Sequence, residues 1–197
     1  QRQREEEVMQ PYIVISYHTP DELYTAHARA CIELLDIFHI PRHIETLPPV
    51  GSWVQNCAAK PRFIQKKLAE FTDRPVVWLD VDARVMKQPV LFDTIKADFA
   101  VHYRAGVELL SNTMFFNVGP KSRQLVDLWV TEQAKNTKEW DQKVLQRVID
   151  RDATKLGIEV QRLPAEYAAI DFMRVRDPVI VQTQASRTVR KRLRERR

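Results

Sequence analysis

Pro75-Val76-Val77-Trp78-Leu79-Asp80-Val81-Asp82 is an apolar run that ends abruptly in two carboxylates spaced i, i+2. Val76 to Leu79 form a continuous hydrophobic segment of strand length behind a proline, the pattern of a strand buried on both faces. Side chains alternate along a strand, so the spacing predicts that Asp80 and Asp82 leave the same face. Two carboxylates held together at the end of a buried strand repel each other and lose hydration. A hard divalent cation would compensate, since such ions take oxygen ligands. An Asp pair in a solvated loop just past the strand needs no cation, and the spacing alone does not choose between the two readings.

Working outward, the chain alternates short strands with amphipathic helices. Residues 12–17 read as a first strand and residues 18–21 as the turn after it. A helix is predicted over residues 24–38, with Ala28, Cys31, Leu34, Leu35 and Phe38 at helical spacing. A short strand follows at 42–47, and a second helix at 60–71, where Pro61 suits the first turn. Further strands are predicted over 98–103, 113–118, 159–163 and 179–182, and helices over 123–134 and 141–150. Gly51-Ser52-Trp53 reads as loop. Asp141 is of the type that caps helix N-termini, and Asn117 of the type that caps a turn before Gly119-Pro120. Strands separated by helices early, with denser strands later, predict an α/β fold: a mixed, mostly parallel sheet flanked by helices. One domain is expected over residues 11–187, behind a flexible N-terminus at 1–10.

Composition fits this picture. The chain has 197 residues, 44% hydrophobic and 29% charged, which excludes a disordered protein and allows a sizeable core. No apolar run has the length of a membrane span and no signal-peptide pattern is visible, so a cytoplasmic location is expected. Cys31 and Cys57 lack metal-ligand spacing and are expected as thiols rather than a disulfide. The net charge of +5 is unevenly placed: residues 187–197 carry seven cations against Glu195 alone, which leaves −1 on the other 186 residues. Such a basic tail at 188–197 suits nucleic acid or an anionic surface, and equally a solvated terminus.

In an open α/β sheet, ligands bind outside the carboxyl ends of the strands. The turn after the first strand, the Asp pair and the loop before Thr113 are expected to meet there. Only four glycines occur, and none follows the first strand, which argues against a P-loop or a Rossmann dinucleotide site. Mn²⁺ or Mg²⁺ on Asp80 and Asp82 would neutralise a diphosphate by another route.

Trp78-Leu79-Asp80-Val81-Asp82-Ala83-Arg84-Val85 resembles the DxD segment of GT-A-type glycosyltransferases, which use nucleotide-diphosphate sugars. Lys60-Pro61-Arg62-Phe63-Ile64 lies one helix upstream, where these enzymes often have a basic start, and Pro89-Val90-Leu91-Phe92 follows as their P-x-L-F turn does. Ser111-Asn112-Thr113-Met114-Phe115-Phe116-Asn117 resembles the strand that carries polar contacts to sugar. Glu139-Trp140-Asp141-Gln142 resembles their late acidic-Gln element. The resemblance covers roughly residues 12–187 and is closest to the nucleotide-diphospho-sugar transferase group, including small bacterial and phage enzymes.

The resemblance implies roles. Asp80 would lie near the ribose and pyrophosphate, and Asp82 would hold the metal. Lys60 would add a second positive contact. Asn112, Asn117, Asp141 and Gln142 would line the donor-sugar pocket, with Asp141 or Gln142 near the anomeric carbon as the catalytic group. Tyr17, His18 and Thr19 would meet the nucleobase, uracil first among the candidates, in a UDP-sugar donor. Where many relatives place a His metal ligand, before a Q-A-S-R run, this chain has Gln182, whose amide oxygen is a weaker ligand. Arg187 remains available for a phosphate. The expected function is a metal-dependent glycosyltransferase that moves a hexose to an acceptor hydroxyl, with retention in the related enzymes and with a glycan or a hydroxylated DNA base as acceptor. The alternative is a non-catalytic GT-A-like scaffold that binds nucleic acid through its Arg-rich tail. A nucleotidyltransferase lacks its Gly-rich triphosphate loop here.

Overall fold

The computed structural model describes residues 11–185. The expected flexible N-terminus, Arg187 and the basic tail lie outside the described residues. In chain order the elements are β1 (Ile13–His18), α1 (Glu22–Ile37), β2 (Arg42–Thr46), α2 (Trp53–Ala58), α3 (Lys60–Glu70), β3 (Val76–Leu79) and β4 (Ala83–Val85). They continue with β5 (Phe99–Arg104), β6 (Glu108–Phe116), α4 (Pro120–Lys135), α5 (Asp141–Val148), β7 (Val160–Arg162), β8 (Ala169–Ile170) and β9 (Ile180–Gln182).

The larger sheet has the order β2-β1-β3-β6-β5-β7. β1 pairs in parallel with β2 and β3, and β5 with β7, while β6 runs antiparallel to both β3 and β5. One reversed strand therefore interrupts an otherwise parallel sheet. Its reversal is local: β5 and β6 are joined by a tight turn in which Ala105 and Gly106 both have positive φ, 49° and 76°. A smaller sheet has the order β4-β9-β8 and pairs β4, early in the chain, with β9 near its end.

Strand alternation divides the core into two layers. Ile13, Ile15, Val76, Trp78, Met114 and Phe116 face α3, α4 and α5. Val14, Val77, Leu79, Ala100 and Phe115 face α1 and the smaller sheet. Phe92 is the centre of the second layer: its ring meets Tyr12, Phe115 and Tyr167 at centroid distances of 5.2, 6.0 and 5.1 Å. Helix α3 buries Lys60, Phe63, Ile64, Lys67 and Leu68, an i, i+3, i+4, i+7, i+8 stripe that carries two lysines at core positions. Lys67 is matched by Glu45 at 2.5 Å and Glu70 at 2.7 Å, which fastens α3 to strand β2. Lys67 and His43 hold the Glu45 carboxyl down, to about 2.

Several expectations need correction. The strand expected at 113–118 spans Glu108–Phe116, so the segment before Thr113 is strand and not loop; the hairpin with β5 extends it. Gly51-Ser52-Trp53 opens helix α2 instead of a loop, through a capping box in which Ser52 and Gln55 serve each other's backbone amides. Trp140, not Asp141, precedes the first turn of α5. Asp80 and Asp82 lie past the end of β3, so alternation along a strand is not what orients them. Both cysteines are thiols, Cys31 buried and Cys57 half-buried.

Phe92→Ala should cost about 3–5 kcal/mol in urea unfolding, because three rings would face the void. Val90→Ala on the same turn, 60% exposed, should stay within about 0.5 kcal/mol.

Candidate active site

Asp80-Val81-Asp82 forms the corner where the chain leaves the larger sheet for the smaller one. The Ala83 amide donates to the Asp80 carbonyl at 2.9 Å, closing a tight turn, and the Asp80 amide donates to the Asn112 carbonyl at 2.9 Å. Val81 is buried and anchors the turn. On the far side, the Thr183 hydroxyl donates to the Asp82 carbonyl at 3.0 Å. The Ser16 hydroxyl donates to the Leu79 carbonyl at 2.6 Å and pins the end of β3 to β1. The corner is thus held by β1, β6 and the segment after β9 at once.

Beneath it stands Lys60, only 6% exposed. Its Nζ lies 3.0 Å from Asp80 Oδ1 and 3.1 Å from Asp141 Oδ2, and donates to the Ser111 carbonyl at 3.2 Å. It also lies 5.1 Å from the centre of the Trp78 ring, whose Nε1 donates to Asp80 at 2.8 Å. Burial alone would lower the ammonium pKa, yet the Asp141 and Asp80 carboxylates outweigh it and hold the pKa above the ordinary lysine value. Ser111 donates its hydroxyl to Asp141 at 3.1 Å and so completes the cluster.

Asp82 is in a different state. Burial pushes its carboxyl up to about 6, the Asp80 charge adds to this, and the hydrogen bond from the Ala185 amide opposes it. That amide lies 2.7 Å from Asp82 Oδ2. Nearby, Gln182 Nε2 donates to the Asn112 carbonyl and to Thr113 Oγ1, both at 3.3 Å, which turns Gln182 Oε1 the other way. Gln182 Oε1 and Asn112 Oδ1 are buried and, among the described residues, without a hydrogen-bond partner. Buried acceptors left open in this way need a partner, and a ligand donor or a cation at the corner would supply one. Among the described residues no three His, Cys, Asp or Glu side chains converge. Any cation here would therefore rest on the two carboxylates and the orphan amide oxygen.

Asp80 and Asp82 border two cavities. The first, about 150 Å³, is lined by Tyr17, His18, Thr19, Tyr24, Asn56 and Lys60, among others. Tyr17 is fixed there by its hydroxyl, which donates to the Asn56 carbonyl at 2.6 Å. Thr19 donates to Asp21 Oδ2 at 2.6 Å. The second, about 310 Å³, is bordered by Asn112, Gln142 and Gln182, with Arg104, Glu108, Trp140 and Phe172 farther out. Gln142 Oε1 accepts from the Ser111 amide at 3.3 Å, and its Nε2 donates to Glu108 at 3.3 Å, so the amide plane is fixed.

The structure brings together Tyr17, Thr19, Lys60, Asp80, Asp82, Asn112, Asp141, Gln142 and Gln182. Asp141 is buried behind Lys60 and borders neither cavity. Asn117 stays apart: its Nδ2 donates to the Lys96 and Ala97 carbonyls at 3.2 and 3.1 Å, a turn role at the opposite end of β6. Sequence reasoning missed Ser111 as the hub of the cluster, and Glu108, because the strand that carries both was read as starting at residue 113. The lysine in the apolar stripe of α3 was the legible sign of a buried cation.

A profile of the nucleotide-diphospho-sugar transferase family matches residues 56–194. A comparison with curated protein sequences returns no match. Among solved structures, a glycosyltransferase involved in the glycosylation of the major capsid of PBCV-1 aligns over 95% of this chain and 100% of its own, at 15% identity and TM-score 0.71. The galactosyltransferase LgtC, solved with donor and acceptor sugar analogs, aligns over 90% and 94%, at 13% identity and TM-score 0.53. The apo glycosyltransferase GlyE of Streptococcus pneumoniae TIGR4 aligns over 88% of this chain but 54% of its own, at 15% identity and TM-score 0.55. The architecture is that of the GT-A-type glycosyltransferases.

Lys60→Met should destabilise the protein by about 3–5 kcal/mol in urea at pH 7, since it strands the buried Asp141 carboxylate. The double variant Lys60→Met/Asp141→Leu should recover part of that loss; a loss equal to the sum of the losses in Lys60→Met and in Asp141→Leu would show that the pair is not coupled. Asp82→Asn addresses the other carboxylate. A pKa raised on folding gives stability that is present at low pH and lost as pH rises from about 4 through about 6. Asp82→Asn should therefore be more stable than the parent at pH 8, on the order of 1 kcal/mol after allowance for solvent, with the gap closing toward pH 4. Thermal melts across that range check the sign.

Proposed function

The chain belongs to the nucleotide-diphospho-sugar transferase family and is a glycosyltransferase, and from that premise we propose that it moves a hexose from a nucleotide-diphosphate sugar to an acceptor hydroxyl across the Asp80-Asp82 corner. The observation that carries this reading is that the same two carboxylates border both cavities. A donor that bridges them would place its nucleoside in the first, its diphosphate at the corner and its sugar in the second.

The rings of Tyr17, Tyr24 and Trp78 give the first cavity aromatic walls for a base and ribose, and Thr19 and His18 supply polar contacts. A UDP-sugar is the leading donor. Asp80, Asp82 and the orphan oxygen of Gln182 form an all-oxygen set, which suits Mn²⁺ or Mg²⁺. When bound, such an ion neutralises the charge that grows on the departing diphosphate. With two carboxylates and one neutral amide these residues would hold such an ion weakly, and a diphosphate would strengthen its binding.

Lys60 keeps Asp80 in place and adds a fixed positive charge below the corner. In the second cavity Asn112 and Gln142 face the sugar. As the bond from the anomeric carbon to the diphosphate breaks, its electron pair leaving with the diphosphate, and the acceptor oxygen bonds to that carbon and gives its proton to the departing diphosphate, positive charge develops on the ring. The Gln142 amide is pre-oriented by Ser111 and Glu108, so its oxygen offers a fixed dipole to that charge without reorganisation. Asp141 acts through Lys60 and Ser111 as a positioning residue.

Melting with UDP is expected to rise in Mn²⁺ or Mg²⁺ and to stay at the baseline in EDTA; equal stabilisation in EDTA would overturn the metal set. In a screen of nucleotide sugars, at least one should be hydrolysed or transferred by the parent. Asp82→Asn should lower that rate at least about a hundredfold while remaining folded. An active Asp82→Asn protein would remove the corner from the mechanism.

A further inference from the structure

Resting on the donor reading above, we propose that His27 is a positioning residue for the reaction: from helix α1 its Nδ1, acting as an acceptor, seats Arg84 and Thr183 and so holds residues 182–185 on Asp82. That segment needs a seat. The Thr183 amide and hydroxyl both donate to the Asp82 carbonyl, at 3.3 and 3.0 Å, and the Ala185 amide donates to Asp82 Oδ2 at 2.7 Å. Between Thr183 and Ala185, Gln184 has a φ of 56°, in the left-handed region that a residue with a Cβ seldom occupies. The backbone turns there so that residues 183 and 185 both face Asp82, and the surroundings must hold it in that conformation. Ladder pairing stops short of it, since β9 ends at Gln182.

His27 supplies a contact from the side. It is half-buried, one turn of α1 before the buried Cys31. Arg84 Nη2 donates to His27 Nδ1 at 3.0 Å, while Arg84 Nη1 donates to the Ala83 carbonyl at 2.8 Å. A guanidinium only donates, so Nδ1 is the acceptor and the neutral imidazole carries its proton on Nε2. Burial and the Arg84 charge both lower the His27 pKa, which favours that neutral form. Thr183 Oγ1 stands 3.4 Å from the same Nδ1. Arg84 lies on β4 opposite Val181 of β9. One nitrogen thus gathers α1, the strand that leaves the corner and the segment that returns to it. Lys60 fixes Asp80 from below, whereas Asp82 takes its backbone donors from residues 183 and 185. A loosened seat would therefore weaken the hold on a diphosphate without changing the reacting groups.

Two measurements on the full chain test this. Without ligand, amide hydrogen exchange followed by NMR should be at least about fivefold faster at Ala185 in His27→Leu than in the parent, with the β1 and β3 amides unchanged; a general loss of stability would speed them together. In calorimetric titration with Mn²⁺ and UDP or GDP, whichever raises the parent's melting temperature more, the Kd should rise about threefold to tenfold in the same variant, the worth of one hydrogen bond. His27→Asn restores an acceptor oxygen near the Nδ1 position and should leave both readouts within about twofold of the parent. Leucine is the better helix former, so a role confined to the stability of α1 would rank the two variants the other way. Thr183→Val should also raise the Kd, and the double variant with His27→Leu should fall short of the product of the two single effects. Unchanged exchange at Ala185 or an unchanged Kd in His27→Leu, the same changes in His27→Asn, or fully multiplicative effects in the double variant would overturn the proposal and leave the donor reading intact. A parent that binds no nucleoside diphosphate would overturn the donor reading and this proposal with it.

Discussion

A single buried ammonium organises the centre of this protein. Lys60 is placed in the core by its position on the apolar stripe of α3, where hydration is lost and must be replaced. Asp80 comes to it from the end of β3, Asp141 from the start of α5, and the Ser111 carbonyl from the middle of β6. Each of those groups belongs to a different element, so satisfying one charge fixes the relative position of three. Removing the charge leaves carboxylates without a partner, which is why such clusters tolerate replacement as a whole better than loss of one member.

The corner at Asp80-Val81-Asp82 depends on that cluster. β3 carries four buried apolar residues and then stops, because the chain must cross from one sheet to the other. Val81 is buried at the turn, and the carboxylates on either side of it border the two cavities. Asp80 is neutralised from below by Lys60, while Asp82 is opposed mainly by a neutral amide from Ala185. The two carboxylates are therefore unequal: one is locked as part of the framework, the other keeps the electrostatic cost that a donor or cation can relieve.

Much of this was legible in the sequence where a residue type is costly in its place. A hydrophobic strand that ends in two carboxylates signals compensation nearby, whereas Lys60 was read as a contact to the donor and not as a buried cation. The α/β class followed from strand and helix periodicity, and the absence of glycines after β1 turned attention to the corner. What stayed hidden was pairing at a distance. Ser111 and Glu108 gain their roles only because β6 reverses between β3 and β5, and β6 begins with Glu108, a residue of low strand propensity. Asn117 looked like a sugar contact by its neighbours in sequence, yet the direction of β6 carries it to the other end of the sheet. Lys67 was passed over because its partners Glu45 and His43 lie on a strand with no sequence proximity to α3. The capping box at Ser52 and Gln55 was readable but was obscured by the glycine before it.

The pairing of β9 with β4 has a bearing on how the protein comes into being. Residues 180–185 supply Gln182, the Thr183 clamp and the amide on Asp82, although they follow the corner by about one hundred positions. During synthesis at the ribosome, the sheet around β1, β3 and β6 can assemble while this segment has yet to emerge. Until it does, Asp82 stands beside Asp80 without its backbone donor. A product that stopped before residue 180 would then keep most of its core and lose the finished corner.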